Sequence, residues 1–86
     1  MKFQVYGDPQ HSWCKVPHKL INSLGIHNEI TPYSYQRNLH VYLECDHDLG
    51  IFVRKMHEMG KTVEFKENHT NRSSRIRNYD RYYYEA

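Results

Sequence analysis

The stretch "LHVYLECDHDLGIFVRKMHEMGKTVEFKE" (residues 39–67) carries the clearest pattern of secondary structure in the chain. Its first part alternates, with Leu39, Val41 and Leu43 on one face, and this period of two predicts a strand. A helical pattern and a second short apolar strand pattern follow. The stretch therefore predicts a strand–helix–strand unit, whose two strands would run parallel if the helix makes a right-handed crossover between them.

The helix of this unit has signals at both ends. Asp46 or Asp48 is expected to cap its N-terminus, where a carboxylate also meets the positive end of the helix dipole. Gly60 is expected to end it, and Val63 and Phe65 are expected to face inward from the strand that follows. The apolar stripe of the helix, at i, i+3, i+4 and i+7, consists of Leu49, Phe52, Val53 and Met56.

The residues that precede this unit predict a hairpin and a short helix. Residues 2–16 alternate on either side of "GDPQ", where Gly7 and Pro9 favour a turn. Pro17 suits the first position of a helix, and Gly25 suits its end. Tyr33 and Tyr35 alternate with smaller polar residues, which predicts a further strand before a turn at Asn38. The predicted order is therefore ββαββαβ, which corresponds to an α+β domain with two helices on one face of a mostly antiparallel sheet, followed by a C-terminal arm.

The length and composition of the chain limit the class of protein. With 86 residues there is room for one domain and one small core, so a homodimer remains an open alternative. No apolar run reaches the roughly 18–20 residues of a membrane span, and "MKFQVYGD" does not resemble a signal peptide. We therefore expect a cytoplasmic protein with two reduced cysteines and no contact with a membrane.

The positive charge of the chain is concentrated near its C-terminus. Residues 1–65 carry equal numbers of Lys/Arg and Asp/Glu, so the whole net charge of +2 arises from residues 66–86. The segment "HTNRSSRIRNYDRYYYEA" (residues 69–86) contains four arginines and four tyrosines. We therefore divide the chain into an α+β body (residues 1–67) and a basic, aromatic arm (residues 68–86).

This arm is the predicted binding surface. Arginine binds phosphate through two parallel hydrogen bonds, and tyrosine stacks on unpaired bases, which favours RNA or single-stranded nucleic acid over a duplex groove. Arginine and tyrosine are equally typical of protein–protein interfaces, and a loose terminus or tyrosines packed back on the sheet would also explain the composition. The predicted contact residues are Arg72, Arg75, Arg77, Tyr79, Arg81, Tyr82 and Tyr83.

Metal binding and catalysis have weaker signals. The patterns H-x2-C-x3-H and C-x-H contain zinc-type ligands, but they lie on different predicted elements and lack a C-x2-C pair. No nucleophile elbow or glycine-rich phosphate loop is present, and a Cys–His dyad would depend on spatial pairing alone. We therefore predict no catalysis, no cofactor and no metal. The weaker zinc candidates are His11, Cys14, His18, Cys45 and His47.

Residues 14–30 resemble part of a known DNA-binding module. A strand, Val-Pro, a short helix and Leu-Gly-Ile resemble the AbrB-type swapped hairpin, although Asn28-Glu29 replaces the Gly-Asp usual there. The same residues also have a local explanation as a strand–helix junction with a glycine cap, and we prefer that explanation. The matching residues are Val16, Pro17, Leu20, Leu24, Gly25, Ile26 and Ile30.

Across its whole length the chain resembles small uncharacterised proteins of tailed bacteriophages. The similarity rests on "YSYQR" (33–37), "VYLECD" (41–46) and "HTNRSSRIRNYDRY" (69–82). It implies a small phage accessory protein in a bacterial cytoplasm, without an assigned activity. We expect a non-catalytic binding protein whose arm contacts nucleic acid or a nucleoprotein complex. The alternative is an inhibitor that targets a host enzyme or an anti-phage defence complex.

Overall fold

The computed structural model describes residues 1–84, in which six strands, two α-helices and one 3₁₀ helix follow the predicted order and add one strand. Two residues of the predicted arm, Glu85 and Ala86, lie outside the described residues. No helix in residues 1–84 is long and apolar enough to cross a membrane. The elements are β1 (Lys2–Gly7), β2 (Ser12–Pro17), α1 (His18–Ser23), β3 (Tyr35–Arg37), β4 (His40–Glu44), α2 (Asp48–Glu58), β5 (Glu64–His69), the 3₁₀ helix (Arg75–Asn78) and β6 (Asp80–Arg81).

The strands form one sheet in the order β5-β1-β2-β4-β3-β6. Neighbouring strands are antiparallel, except that β1 and β5 are parallel. Since β4 and β1 are both antiparallel to β2, β4 also runs parallel to β5. The β4–α2–β5 connection is therefore a crossover between parallel strands, and it passes over β2 and β1 to reach the edge of the sheet.

Both α-helices pack on one face of the sheet, which we call the helical face. Phe52 and Met56 of α2 are fully buried there, and the Phe52 ring meets Phe3 edge to face at 5.2 Å. Leu49 and Val53 complete the predicted stripe of α2 at the margin of this core. The sheet contributes Phe3, Val5, Cys14, Val16, Val41 and Leu43, and the helices and loops add Ile21, Leu24, Ile26, Ile30 and Tyr82.

The opposite side of the sheet, which we call the reverse face, has a core of its own. Trp13, Tyr35 and Tyr42 lie there under Ile76, which the 3₁₀ helix brings across the sheet. β4 is consequently buried on both sides: Val41 and Leu43 face the helices, and Tyr42 faces the reverse side. A second buried layer on so short a chain depends on its C-terminal residues.

Two residues of the predicted apolar strand faces are more exposed than expected. Leu39 is 77% exposed, because Asn38 takes a left-handed conformation (φ 53°) and the β3–β4 turn carries Leu39 out before β4 begins at His40. Phe65 does lie on the helical face, opposite Phe3, but 39% of it remains exposed because β5 is an edge strand. Alternation gives the face of a residue, and the position of its strand in the sheet decides how deeply it is buried.

The predicted role of the aspartates at the start of α2 also needs correction. Asp48 is the first residue of the helix, and the preceding residue, His47, makes no capping hydrogen bond through its side chain. The Asp48 carboxylate is fully buried and instead accepts hydrogen bonds from the loop that contains Thr31 and Ser34. Gly60, in contrast, follows the end of α2 with φ 73°, as predicted for a glycine at that position.

The contrast between Leu39 and Val41 can be tested by mutation. We expect Leu39→Ala to change the free energy of unfolding by less than about 0.5 kcal/mol, because the side chain is in solvent. Val41→Ala should lower it by about 1–2 kcal/mol, because two buried methyl groups are lost at about 0.8 kcal/mol each. Urea denaturation of both variants is the measurement, and equal midpoints would contradict the register of β4.

Candidate functional site

The C-terminal segment (residues 70–84) lies across the reverse face and is held there by Asp8. The Asp8 side chain is 1% exposed and forms a bidentate ion pair with Arg77, at 2.7 Å to Nε and 3.0 Å to Nη2. It also accepts the backbone N–H groups of Ser74, Gln10 and His11, each at 3.0 Å. The hairpin turn between β1 and β2 therefore anchors the segment that covers the sheet.

The last described part of this segment is fixed by the other end of the sheet. β6 pairs with β3, and the backbone N–H of Tyr82 donates to the Ser34 carbonyl at 2.9 Å. Tyr82 is 4% exposed, packs in the core of the helical face, and its hydroxyl donates to the backbone carbonyl of His27. The structured part of the predicted arm is thus integrated into the domain. β5 itself continues to His69, across the predicted boundary between residues 67 and 68.

The structure divides the seven predicted contact residues among different environments. Arg75 and Tyr79 line a groove on the reverse face, and Arg77 and Arg81 line a separate cleft. Tyr82 is part of the core and is not available to a partner. The two remaining residues, Arg72 and Tyr83, are exposed and line neither hollow.

The groove beside Arg75 consists of two adjoining hollows of about 310 and 300 Å³ that share Lys15, Tyr42 and Tyr79. We call it the basic groove. Lys15 and Tyr42 are direct cross-strand partners on β2 and β4, so their side chains lie on the same face. The remaining lining residues are Tyr6, Arg37, Asn38, Leu39, His40, Arg75 and Ile76.

Unpaired positive charge distinguishes the basic groove. Three cations line it, Lys15, Arg37 and Arg75, and no acidic side chain among residues 1–84 does. Within residues 1–84, none of these three cations forms a salt bridge. Burial lowers the pKa of His40, and the positive charges of Lys15 and His18 lower it further. The three unpaired cations themselves create a local field that favours anions.

Tyrosine rings form the floor and one wall of the basic groove. Tyr42 and Tyr79 are in contact, with ring centroids 5.0 Å apart, and the Arg37 guanidinium lies 4.9 Å from the centre of the Tyr79 ring. Burial raises the pKa of Tyr42, and the neighbouring Tyr79 and Tyr6 add to this effect, so the hydroxyl stays protonated at neutral pH. The groove thus places aromatic surface among positively charged side chains.

The prediction from sequence missed most of this groove. Tyr6, Lys15, Arg37 and Tyr42 lie on strands of the body, far in sequence from Tyr79. The sequence pattern that could have indicated these residues is the alternation within each strand, which leaves large polar and aromatic residues on the face opposite to the core. Which of those faces meet across the sheet depends on long-range strand pairing, which the local pattern does not contain.

A second hollow of about 460 Å³, which we call the aromatic cleft, lies on the other side of the 3₁₀ helix. Its wall is a T-shaped pair formed by Trp13 and Tyr35, with ring centroids 5.9 Å apart. The guanidinium of Arg77 lies 5.2 Å from the Trp13 ring, and that of Arg81 lies 5.1 Å from the Tyr35 ring. The other lining residues are His11, Thr31, Tyr33, Glu44 and His47.

The candidate zinc ligands are not brought together in residues 1–84. Of the five, only His11 belongs to a group of three potential ligands, with Glu44 and Asp46, whose ligand atoms lie within 4.8 Å of one another. Burial raises the pKa of the Cys14 thiol to about 12 and also raises that of Cys45. Both thiols are therefore protonated at neutral pH and poorly suited to act as nucleophiles.

Comparisons of the chain with protein-family models, with curated proteins and with solved structures found no match. The resemblance to small phage proteins stays a prediction from the sequence. What bears on function is the chemistry of the reverse face. There the basic groove combines unpaired cations with tyrosine rings, and the aromatic cleft adds Trp13 and the carboxylate of Glu44.

Proposed function

We propose that this protein binds single-stranded nucleic acid on the reverse face of its sheet. The observation that supports this most directly is the basic groove, in which Lys15, Arg37 and Arg75 surround a tyrosine pair and none of the described lining residues is acidic. In this proposal the three cations contact phosphates, and Tyr79, which is partly exposed, stacks on a base.

The shape of the surface favours a single strand over a duplex. Reading a duplex requires an element that protrudes into its major groove, commonly a helix or a two-stranded ribbon. The basic groove is instead a hollow on a sheet, bordered by the 3₁₀ helix. Aromatic rings on such a surface suit unpaired bases, whose faces are free to stack. The proposal does not distinguish RNA from single-stranded DNA.

The arginines of the C-terminal segment do not contribute equally to the proposed binding surface. Arg77 is committed to Asp8 and stacks on Trp13, so its guanidinium is largely occupied. Arg75 is exposed and lines the groove, and the body supplies the other two cations, Lys15 and Arg37. The binding surface is therefore shared between the C-terminal segment and the strands, and the C-terminal segment acts as part of a preformed site.

We expect replacement of all three groove cations, Lys15→Gln, Arg37→Gln and Arg75→Gln, to weaken binding to a labelled oligothymidine about tenfold or more at low salt. Wild-type protein should give a log–log salt slope of about −2, because each phosphate contact on a single strand contributes about −0.7. The triple variant should have a slope near zero. Fluorescence anisotropy with an oligonucleotide of roughly 12 residues, within the usual range of site sizes, is the measurement.

A charge-matched control distinguishes binding by the groove from a general effect of the protein's net charge. Lys19, Arg54 and Lys61 are exposed and lie on or next to the helices, on the other side of the sheet. Changing these three residues to glutamine removes the same charge and should leave most of the affinity and the slope in place. Equal losses in the two triple variants would show that binding is non-specific and would overturn the assignment to the groove.

The alternative is that this protein, also as a phage accessory protein in a bacterial host, binds a protein instead of nucleic acid. Its support is the exposure of large apolar side chains, since Tyr33 is 69% exposed and Tyr83 is 64% exposed. A pull-down from bacterial lysate, carried out with and without nuclease, distinguishes the two. One stoichiometric protein that is retained after nuclease treatment would favour an inhibitor of a host enzyme or defence complex.

A further inference from the structure

The aromatic cleft contains a carboxylate that the fold does not fully use. Glu44 is 8% exposed and lines the cleft, and it is the direct cross-strand partner of Trp13. Its Oε2 accepts the backbone N–H of Asp46 at 3.1 Å and lies 3.9 Å from His11 Nδ1. Its Oε1 accepts no hydrogen bond from residues 1–84. Oε1 is not enclosed by protein, so it is free to accept a hydrogen bond from a ligand in the cleft.

A second polar group of this cleft also lacks a partner. Trp13 is 2% exposed, and its indole N–H finds no acceptor within the described part of the chain. Buried polar groups of native proteins are rarely left unpaired, and those that are often lie at functional sites. Because this N–H is enclosed by protein, a ligand in the cleft would meet the carboxylate of Glu44 and not the indole N–H.

The charges of the cleft limit the chemistry of its ligand. Arg77 is neutralised by Asp8, so Arg81 and Glu44 are the unneutralised opposite charges in the described part of the cleft. Guanidinium groups already lie over Trp13 and Tyr35, which disfavours a cationic ligand on those rings. A simple anion would be repelled by Glu44. The arrangement instead suits a neutral planar ring with N–H donors, joined to an anionic group.

We propose that the aromatic cleft binds a guanine base of the single strand, and this inference rests on the proposed function of the reverse face. The guanine N1–H and its exocyclic amino group are adjacent donors on one edge of the base, and they suit bidentate pairing with the Glu44 carboxylate. Adenine and cytosine each offer one amino group there, and thymine offers one N–H. Arg81 contacts the phosphate of that nucleotide, and Tyr33 packs against the base.

The size and position of the cleft agree with this assignment. A volume of about 460 Å³ lies within the range of small-molecule sites, roughly 300–1,000 Å³. The cleft is also next to the basic groove, since Tyr35 of the cleft and Tyr42 of the groove are direct cross-strand partners. The Cα atoms of such partners are about 4.5–5.5 Å apart. One strand can therefore place neighbouring nucleotides in both hollows, on either side of Ile76.

The test compares oligothymidines that carry one central guanine, inosine or adenine, using wild-type protein and fluorescence anisotropy. We expect guanine to bind roughly tenfold more tightly than adenine, with inosine between them because it lacks the exocyclic amino group. Glu44→Gln should remove the preference for guanine, so that the guanine-containing and adenine-containing oligothymidines bind with equal affinity. Glu29→Gln, at an exposed carboxylate outside the cleft, is the matched control and should keep the preference.

The outcomes separate this inference from the proposed function. If no oligonucleotide binds, the proposed function fails and the inference fails with it. If all bind equally, the guanine site is refuted, and binding by the basic groove stands. A guanine preference that survives Glu44→Gln refutes the role of the carboxylate. The inosine comparison uses wild-type protein, so it remains decisive even if the Glu44 variant is unstable.

Discussion

Replacing Asp8 with alanine should loosen the 3₁₀ helix and the residues before it from the sheet and lower the free energy of unfolding by about 2–4 kcal/mol. The Asp8 carboxylate is the shared acceptor for Arg77 and for three backbone N–H groups. Alanine would leave all of these donors without their partner. The 3₁₀ helix would then hold its position mainly through Ile76, whose burial alone does not order the residues on either side of it.

The single tryptophan makes this loss measurable. Trp13 lies under Arg77 and Ile76, so release of the segment should shift its fluorescence to longer wavelength before global unfolding. Asp80→Ala is the matched control, because Asp80 is exposed and its side chain forms no hydrogen bond within residues 1–84. The control should stay within about 0.5 kcal/mol of the wild type. Identical urea midpoints for the two variants would contradict the anchoring role of Asp8.

The same ion pair should make stability depend on acid pH. The Arg77 guanidinium, helped by the N–H groups of Ser74, His11 and Gln10, holds the pKa of Asp8 well below its usual range against the opposing effect of burial. A lowered pKa stabilises the folded state above the unfolded value, about 3.9, and this contribution is lost as the pH falls. The stability difference between wild type and Asp8→Ala should therefore be constant from pH 7 to about 5 and shrink below about pH 4. A difference that does not change down to pH 2 would show that the carboxylate charge is irrelevant.

Asp48→Ala should have a still larger effect, a loss of about 3–5 kcal/mol in the free energy of unfolding. The carboxylate is fully buried, and its Oδ2 accepts the N–H of Thr31 at 3.0 Å and the hydroxyls of Thr31 and Ser34 at 2.8 and 2.6 Å. Its Oδ1 lies 2.9 Å from His47 Nδ1. Alanine would leave three donors unpaired and a cavity at the start of α2.

The effect of this substitution should reach beyond the helix. Ser34 also accepts the backbone N–H of Glu44 at 2.9 Å, and its carbonyl accepts the N–H of Tyr82. Asp48 thereby links α2, the end of β4 and the C-terminal segment. Asp46→Ala, at an exposed side chain two residues earlier, is the control and should cost less than about 1 kcal/mol. Thermal unfolding followed by circular dichroism is the measurement. Similar melting temperatures for the Asp48→Ala and Asp46→Ala variants would show that Asp48 does not link these elements.

Much of the fold could be predicted from local patterns. The stripe around Phe52 and Met56 indicated α2, and the alternation on either side of Gly7 indicated the first hairpin. The failures were positions whose burial the apolar alternation does not decide. Leu39 lies in a turn, and Phe65 lies on an edge strand, although both obey the alternation of a buried strand.

The candidate site could be predicted only in part, for a related reason. The Arg/Tyr composition of residues 69–86 pointed to Arg75 and Tyr79, which do line the basic groove. The same composition could not separate them from Tyr82, which is core, or from Arg77, which is bound to Asp8. Like side chains on one short segment have different roles, because the segment crosses the sheet and presents each residue to a different neighbour.

The sequence by itself determined the order of the elements, the helical face of the sheet and the concentration of positive charge near the C-terminus. These features follow from the period of apolar residues, from glycines at helix ends and from composition, all of which act over a few residues. Only the tertiary structure decided that the C-terminal segment covers the reverse face and that Lys15, Arg37 and Arg75 meet there. The register between β2 and β4, and the bond between Asp8 and Arg77, join residues far apart in the chain. Such contacts depend on the whole chain packing at once.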